Sequence, residues 1–401
     1  MARQPVPAHW PDTISGNLFY LRGFMSQAAS QTFFARRLFT GHQWLSDVLI
    51  EVSHTTITRL TPNAAASDAY VLEGIVCPGF IDIQVNGGGG VQFNHTPTTA
   101  CLMQMASAHA TTGTASLLPT VITDDITVMS QAAQQIAAVR QTAPHVFLGV
   151  HFEGPHLSAA KKGMHSQAHI RPLSEAEIAL FCDPSLGQVI VTLAPEMVTT
   201  AQISALTQAG VIVNLGHTDA TFEQASEAFA AGARGVTHLY NAMSAMTSRA
   251  PGVVGAALYH QHTYAGLIVD HHHVHPASAT LAIRAKGAQR MCLVTDAMAP
   301  AASDIGHFFY QDTKVVRDQD TLRLDDGTLA GSVLTMIEAV RNTHFDLGFS
   351  LTETLQMATS TPAAYLGHQQ TGQLAPGSYA SFLHLDEQLN LLEHWVGGSK
   401  G

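Results

Sequence analysis

Eight short apolar runs recur through the middle of this chain, and alanine-rich stretches with helical spacing separate most of them. The runs cover 79–85, 114–120, 146–153, 189–194, 211–216, 235–239, 265–270 and 291–296, and the helical stretches include 99–111, 126–140, 200–209 and 222–231. Strand–helix alternation at this spacing builds a parallel sheet, and eight units favour its closure into a (β/α)₈ barrel. An open doubly wound sheet is the competitor. It calls for a G-x-G-x-x-G turn leading into a helix, and Gly87-Gly88-Gly89-Gly90 supplies the glycines without that spacing.

Five of the runs end in a residue that binds metals or moves protons. One runs into His151-Phe152-Glu153-Gly154-Pro155, and the others end at His217, His238, Asp270 and Asp296. Polar chemistry at the carboxyl ends of barrel strands is where this architecture places an active site. Taken singly, Glu153 reads as a solvated loop carboxylate, and His217 and His238 as hydrogen-bonded structural histidines. Together at strand ends they form a carboxylate and two imidazoles, a set that suits zinc with one position open for water. Asp296 fits a general base beside a cation, where the alternative role is a helix cap. The residues read as a metal-dependent hydrolase.

Composition bounds the rest. With 401 residues, 46% hydrophobic and 12% charged, the chain has enough apolar material for one large core and a smaller domain. Alternating segments near both ends point to a small β-sandwich domain from 31–77 and 372–401, flanking a barrel at 78–371. Residues 1–30 read as an N-terminal extension, with Met25 a more ordinary start than Met1. A net charge of −11 without a basic run argues against nucleic-acid and anionic-membrane partners, so an anionic substrate needs a local positive patch. No apolar run reaches the roughly 18 residues of a membrane span. Cys77, Cys101, Cys182 and Cys292 form no Cys-x-x-Cys pair, which suits unpaired thiols in a reducing cytoplasm.

Several segments, taken in order, resemble one known family. HFEGP at 151–155, KKGMHS at 161–166, LGHTDAT at 215–221, THLYNAM at 237–243, CLVTDAMAP at 292–300 and LAGSVLTMIEAVRN at 329–342 are similar to motifs of the N-acetylglucosamine-6-phosphate deacetylases of the amidohydrolase superfamily. PGFIDIQVNG at 78–87 and TPAAYLG near the end extend the resemblance, which runs from about Phe33 to Val396.

The resemblance implies hydrolysis of N-acetylglucosamine 6-phosphate to glucosamine 6-phosphate and acetate. It implies that Glu153, His217 and His238 hold one divalent metal, Zn²⁺ or else Fe²⁺, and that Asp296 accepts and then returns the proton. It places His165 beside the acetyl carbonyl, and His273 and Arg249 at the sugar phosphate. Asn241, Ala242, Leu329, Ala330 and Gly331 become substrate-lining positions, and the assembly becomes a homodimer. From chemistry alone, His165 offers a donor for an oxyanion and Arg249 a bidentate phosphate clamp. The residues do not say which of His271, His272 and His273 faces inward. Lys161 and Lys162 read as a solvated basic corner. Where many amidohydrolase barrels carry His-x-His after the first strand, this chain has Gln84 and Asn86, weak ligands for a transition metal and placed to orient others. Three rivals stand: the same reaction on N-acetylgalactosamine 6-phosphate, another amidohydrolase reaction, and a non-catalytic scaffold that has lost its metal.

Overall fold

The computed structural model describes residues 30–66, 68–310 and 313–401, so the extension expected at 1–30 lies outside it but for Ser30. At the two ends of the chain, β1 (Gln31–Phe39), β2 (Trp44–Ser53), β3 (Thr56–Thr61) and β4 (Tyr70–Pro78) meet β19 (Phe382–Leu385), β20 (Leu391–Val396) and β21 (Ser399–Lys400). They form one seven-stranded sheet in the order β21-β20-β19-β4-β1-β2-β3. The sheet curls until its far ends touch, and a Cβ on Gly398 would lie 2.3 Å from the carbonyl oxygen of His54. The curl wraps a core of its own around Phe33, Ile50, Phe382 and Trp395. Inward-facing aromatic and branched residues alternating with polar ones produce that arrangement.

The middle of the chain is the barrel. β5 (Phe80–Val85), β8 (Thr114–Ile122), β9 (Gly149–Glu153), β10 (Gln188–Leu193), β11 (Ile212–Leu215), β12 (Gly235–Val236), β13 (Tyr264–Leu267) and β14 (Met291–Leu293) lie side by side in sequence order. Every ladder among them is parallel. Helices cover the outside and start where local chemistry caps them. Thr199 with Gln202 and Thr221 with Gln224 form reciprocal capping boxes at Thr200–Gln208 and Phe222–Ala230.

Barrel strands pack closely enough that one glycine is obligatory. A Cβ on Gly149 would come 1.7 Å from the carbonyl oxygen of Gln188 in the neighbouring strand. Gly149→Ala is therefore expected to destabilise the protein by about 3 kcal/mol, through overpacking that only strand displacement relieves. The denaturant midpoint measures this, and an unchanged midpoint would contradict so tight a β9–β10 contact.

The first and last barrel strands are joined without a ladder among the described residues. The Asp296 N–H donates to the Gln84 carbonyl (3.0 Å), and the Asn86 N–H donates to the Ala297 carbonyl (2.9 Å). Deeper in the barrel, the Thr295 hydroxyl donates to the fully buried Asp82 carboxyl. Burial pushes that carboxyl up to about 7 against the bond from Thr295.

Two small elements decorate the mouth. A hairpin of β6 (Gly87–Gly88) and β7 (Val91–Gln92) follows the first strand. After the last strand comes an antiparallel sheet of β15 (His307–Tyr310), β16 (Thr313–Asp318), β17 (Thr321–Arg323) and β18 (Leu329–Ser332). This sheet interrupts the segment expected to be barrel throughout. It has its own core of Met298, Tyr310, Val315, Leu322 and Ala330.

Candidate active site

At the carboxyl end of the barrel the chain leaves a cavity of about 410 Å³, lined by residues from most of the strand-end loops. That volume suits a small polar ligand such as a sugar phosphate. Glu153 ends β9, and His217 and His238 follow β11 and β12, so pairing of neighbouring strands brings all three together. Glu153 Oε1 lies 3.2 Å from His217 Nε2 and 3.0 Å from His238 Nε2, and the two Nε2 atoms are 3.0 Å apart. All three side chains are buried.

The donor set fits a divalent cation. His217 Nδ1 donates to the Lys161 carbonyl (2.8 Å), which leaves the Nε2 lone pair aimed at the other two ligand atoms. Burial alone would raise the Glu153 carboxyl, yet its hydrogen bonds with His217 and His238 hold it well below the usual carboxylate range. Burial pulls His238 down, and the Glu153 charge outweighs it, so that imidazole is raised. Three like-minded donors crowded around one point is the electrostatic signature of a cation site.

Backbone strain marks the same residues. His217 (φ 47°), His238 (φ 30°), Ala242 (φ 50°) and Asp296 (φ 53°) are all left-handed without being glycine. Each such residue costs on the order of 1 kcal/mol and persists because its surroundings fix it. Ser158 N–H donates to the His217 carbonyl, Thr218 N–H to that of Ala242, and Ser332 N–H to that of Asp296.

Asp296 is held from one side. Asn86 Nδ2 donates to its Oδ1 at 2.6 Å and Gln84 Nε2 at 3.1 Å. Gln84 Nε2 also lies 3.2 Å from both Glu153 oxygens. Amide N–H groups thus occupy the ground where a second cation would need lone pairs. Burial, and then the Glu153 charge, push the Asp296 carboxyl up to about 6.

His165 also lines the cavity, its ring centroid 4.3 Å from that of His217. Burial, and then the His217 charge, drive it well below the ordinary histidine value. The triple histidine is resolved by contacts with carboxylates: His271 turns to Asp346 and His272 to Asp320, each at 2.9 Å. His273 faces the cavity with Nδ1 2.5 Å from Asp270, which orients the ring. Burial would raise Asp270, but the His273 contact brings it down to about 2. His151, despite its place in the HFEGP segment, sits inside the barrel between the Ile83 carbonyl and the Thr192 hydroxyl.

Asn241, Ala242, Leu329 and Gly331 line the cavity as expected, and two other expected positions do not. Ala330 is buried in the core of the four-stranded sheet, because alternation along β18 turns it away from Leu329 and Gly331. Arg249 is exposed on the loop after β12 and lies outside the cavity of its own chain. Conversely, Lys161 belongs to the cavity wall and not simply to a solvated corner, with Nζ 3.5 Å from Asp219. Met164 and Met298, inside two of the motifs but not singled out there, line the cavity together with Thr328. Thr123, which contacts His165, had a signal in the sequence: it follows an apolar run that continues through Ile122.

Residues 75–401 match the amidohydrolase family. The chain is 50% identical over 325 residues to the N-acetylgalactosamine-6-phosphate deacetylase of Shewanella sp. (strain ANA-3), covering 81% of this chain and 82% of that one. It is 34% identical over 382 residues to the N-acetylglucosamine-6-phosphate deacetylase of Vibrio furnissii, covering 93% and 95%. The crystal structure of N-acetylglucosamine-6-phosphate deacetylase from Pasteurella multocida superposes with a TM-score of 0.89 at 34% identity, covering 93% of this chain and 99% of that one.

Proposed function

The chain belongs to the amidohydrolase family, and we propose that it removes acetate from N-acetyl-D-glucosamine 6-phosphate to give D-glucosamine 6-phosphate. The observation that carries this reading is the Glu153–His217–His238 triangle with Asp296 pinned beside it by Asn86. A divalent metal, Zn²⁺ or Fe²⁺, bound by that triangle would supply Lewis-acid polarisation and a more acidic water.

The chain's own groups do the rest. Asp296 is tied down through Oδ1, which leaves Oδ2 to take a proton from the attacking water. Once protonated, the same carboxyl returns that proton to the departing amine nitrogen. His165 donates to the acetyl oxygen as negative charge gathers there. His273, oriented by Asp270, and the loop of Asn241 and Ala242 hold the phosphate end, which positions the amide for attack. The four thiols are unpaired, as a reducing cytoplasm would leave them.

The 50% identity to the Shewanella protein favours a second reading, with N-acetylgalactosamine 6-phosphate as the better substrate. Acetate release from both epimers decides between them through the ratio of kcat/KM. Release from neither would remove the deacetylase reading altogether.

The assembly in this reading is a homodimer in which Arg249 reaches the neighbour's substrate. Support comes from the exposure of Arg249 together with apolar Met246 (58% exposed) and Tyr259 (71% exposed) close by in sequence. With a net charge of −11 opposing an anionic substrate, that guanidinium is worth a charge-assisted contact. Arg249→Ala is expected to lower kcat/KM on the 6-phosphate by roughly 10- to 100-fold, the scale of a lost hydrogen bond to a charged group. Turnover of unphosphorylated N-acetylglucosamine should barely change. An equal loss on both sugars would place the phosphate site elsewhere.

A further inference from the structure

We propose that Thr123 is a positioning residue that fixes the tautomer of His165 and makes its ring an N–H donor toward the cavity. The proposal rests on the reading of His165 as the oxyanion donor. Thr123 is buried just past the end of β8. Its backbone N–H lies 3.4 Å from His165 Nδ1, and its hydroxyl oxygen 2.8 Å from the same atom.

A hydroxyl both donates and accepts, so alone it would leave the tautomer open. A backbone N–H only donates. The Nδ1 it faces must therefore carry the lone pair, and the hydroxyl then donates to Nδ1 as well. The other acceptor within reach of that hydroxyl, the Glu153 carbonyl, is farther away at 3.3 Å.

With Nδ1 an acceptor and bare, the ring carries its proton on Nε2. That nitrogen bonds no protein group among the described residues, and the ring lines the cavity. An oxygen gaining negative charge needs an N–H there; the other tautomer would offer it a lone pair.

The local fold is built to hold this contact. Asn94 clamps the preceding residue from both sides, donating to the Ile122 carbonyl at 2.9 Å and accepting from its N–H at 3.0 Å. The Tyr310 hydroxyl donates to the Thr123 carbonyl at 3.3 Å. Gly154 gives the hydroxyl its room, since a Cβ there would come 2.2 Å from Thr123 Oγ1.

Two variants and one spectrum test the proposal in the metal-loaded protein. Thr123→Val keeps the shape and removes the hydroxyl, and should lower kcat about tenfold with KM and bound metal unchanged. Thr123→Ser should restore kcat to within about twofold of the original, because it restores the donor. Unchanged kcat in the Val variant, or loss of its metal, would overturn the proposal in favour of a structural role. Isotope-labelled histidine rings give a readout independent of turnover, with the His165 signals identified by their loss in His165→Gln. A bare Nδ1 and a protonated Nε2 are expected. A proton on Nδ1 overturns the proposal even in an active deacetylase, whereas a bare Nδ1 in a protein without that activity upholds it and removes the functional reading instead.

Discussion

Asp296→Asn is expected to retain metal and substrate binding and to lose roughly 10²–10⁴-fold in kcat, the range for removal of a general base. The structure predicts how the amide will sit. Asn86 Nδ2 and Gln84 Nε2 both donate to Oδ1, so the new side chain turns its oxygen to them and its NH₂ group toward the cavity. A proton acceptor becomes a donor at the place where water must be deprotonated. Steady-state kinetics with elemental analysis of the same preparation check this. A variant keeping more than about a tenth of the original kcat would contradict a required base.

The second large effect concerns the metal. Elemental analysis of the purified protein is expected to give about one divalent ion per chain, and His217→Ala is expected to lose both the ion and the activity. Removing that imidazole takes away a nitrogen 3.2 Å from Glu153 Oε1, so the site keeps only two of its three candidate ligands. The single-ion expectation follows from Gln84, whose amide donates to Glu153 and Asp296 from the side a second ion would occupy. Two ions per chain, or full occupancy in His217→Ala, would show that this description of the ligands is wrong.

Much of the barrel was legible because its strands are buried on both faces and so form unbroken apolar runs. All eight runs contain a strand, including the two-residue β12, where only Gly235 and Val236 keep ladder pairing. The cluster of Glu153, His217 and His238 was legible for a related reason: strand ends in a parallel barrel share one rim, so residues far apart in sequence become neighbours. The four-stranded sheet at the mouth was missed although the signals were present, with Thr321-Leu322-Arg323-Leu324 alternating and Asp325-Asp326-Gly327 forming a turn. Its strands are short and half-exposed, and strand–helix alternation gives no reason to look for an antiparallel insertion. The orientation of the three consecutive histidines was not legible in principle. It depends on Asp346, Asp320 and Asp270, two of which lie dozens of residues downstream.

The way the barrel closes divides the site between a cluster built on nearby strands and a contact that spans the whole barrel sequence. Glu153, His217 and His238 stand on strands that lie within four consecutive positions of the sheet, so an incomplete barrel already contains every ligand. Asp296 and its two amide partners meet only when the chain brings residue 84 against residue 296, the most distant strand contact in the barrel. Closing a contact over that sequence separation costs more chain entropy than pairing strands that are neighbours in sequence. In the proposed reading, the three candidate ligands thus meet through neighbouring strands, and the proposed base joins them only through the contact that closes the ring.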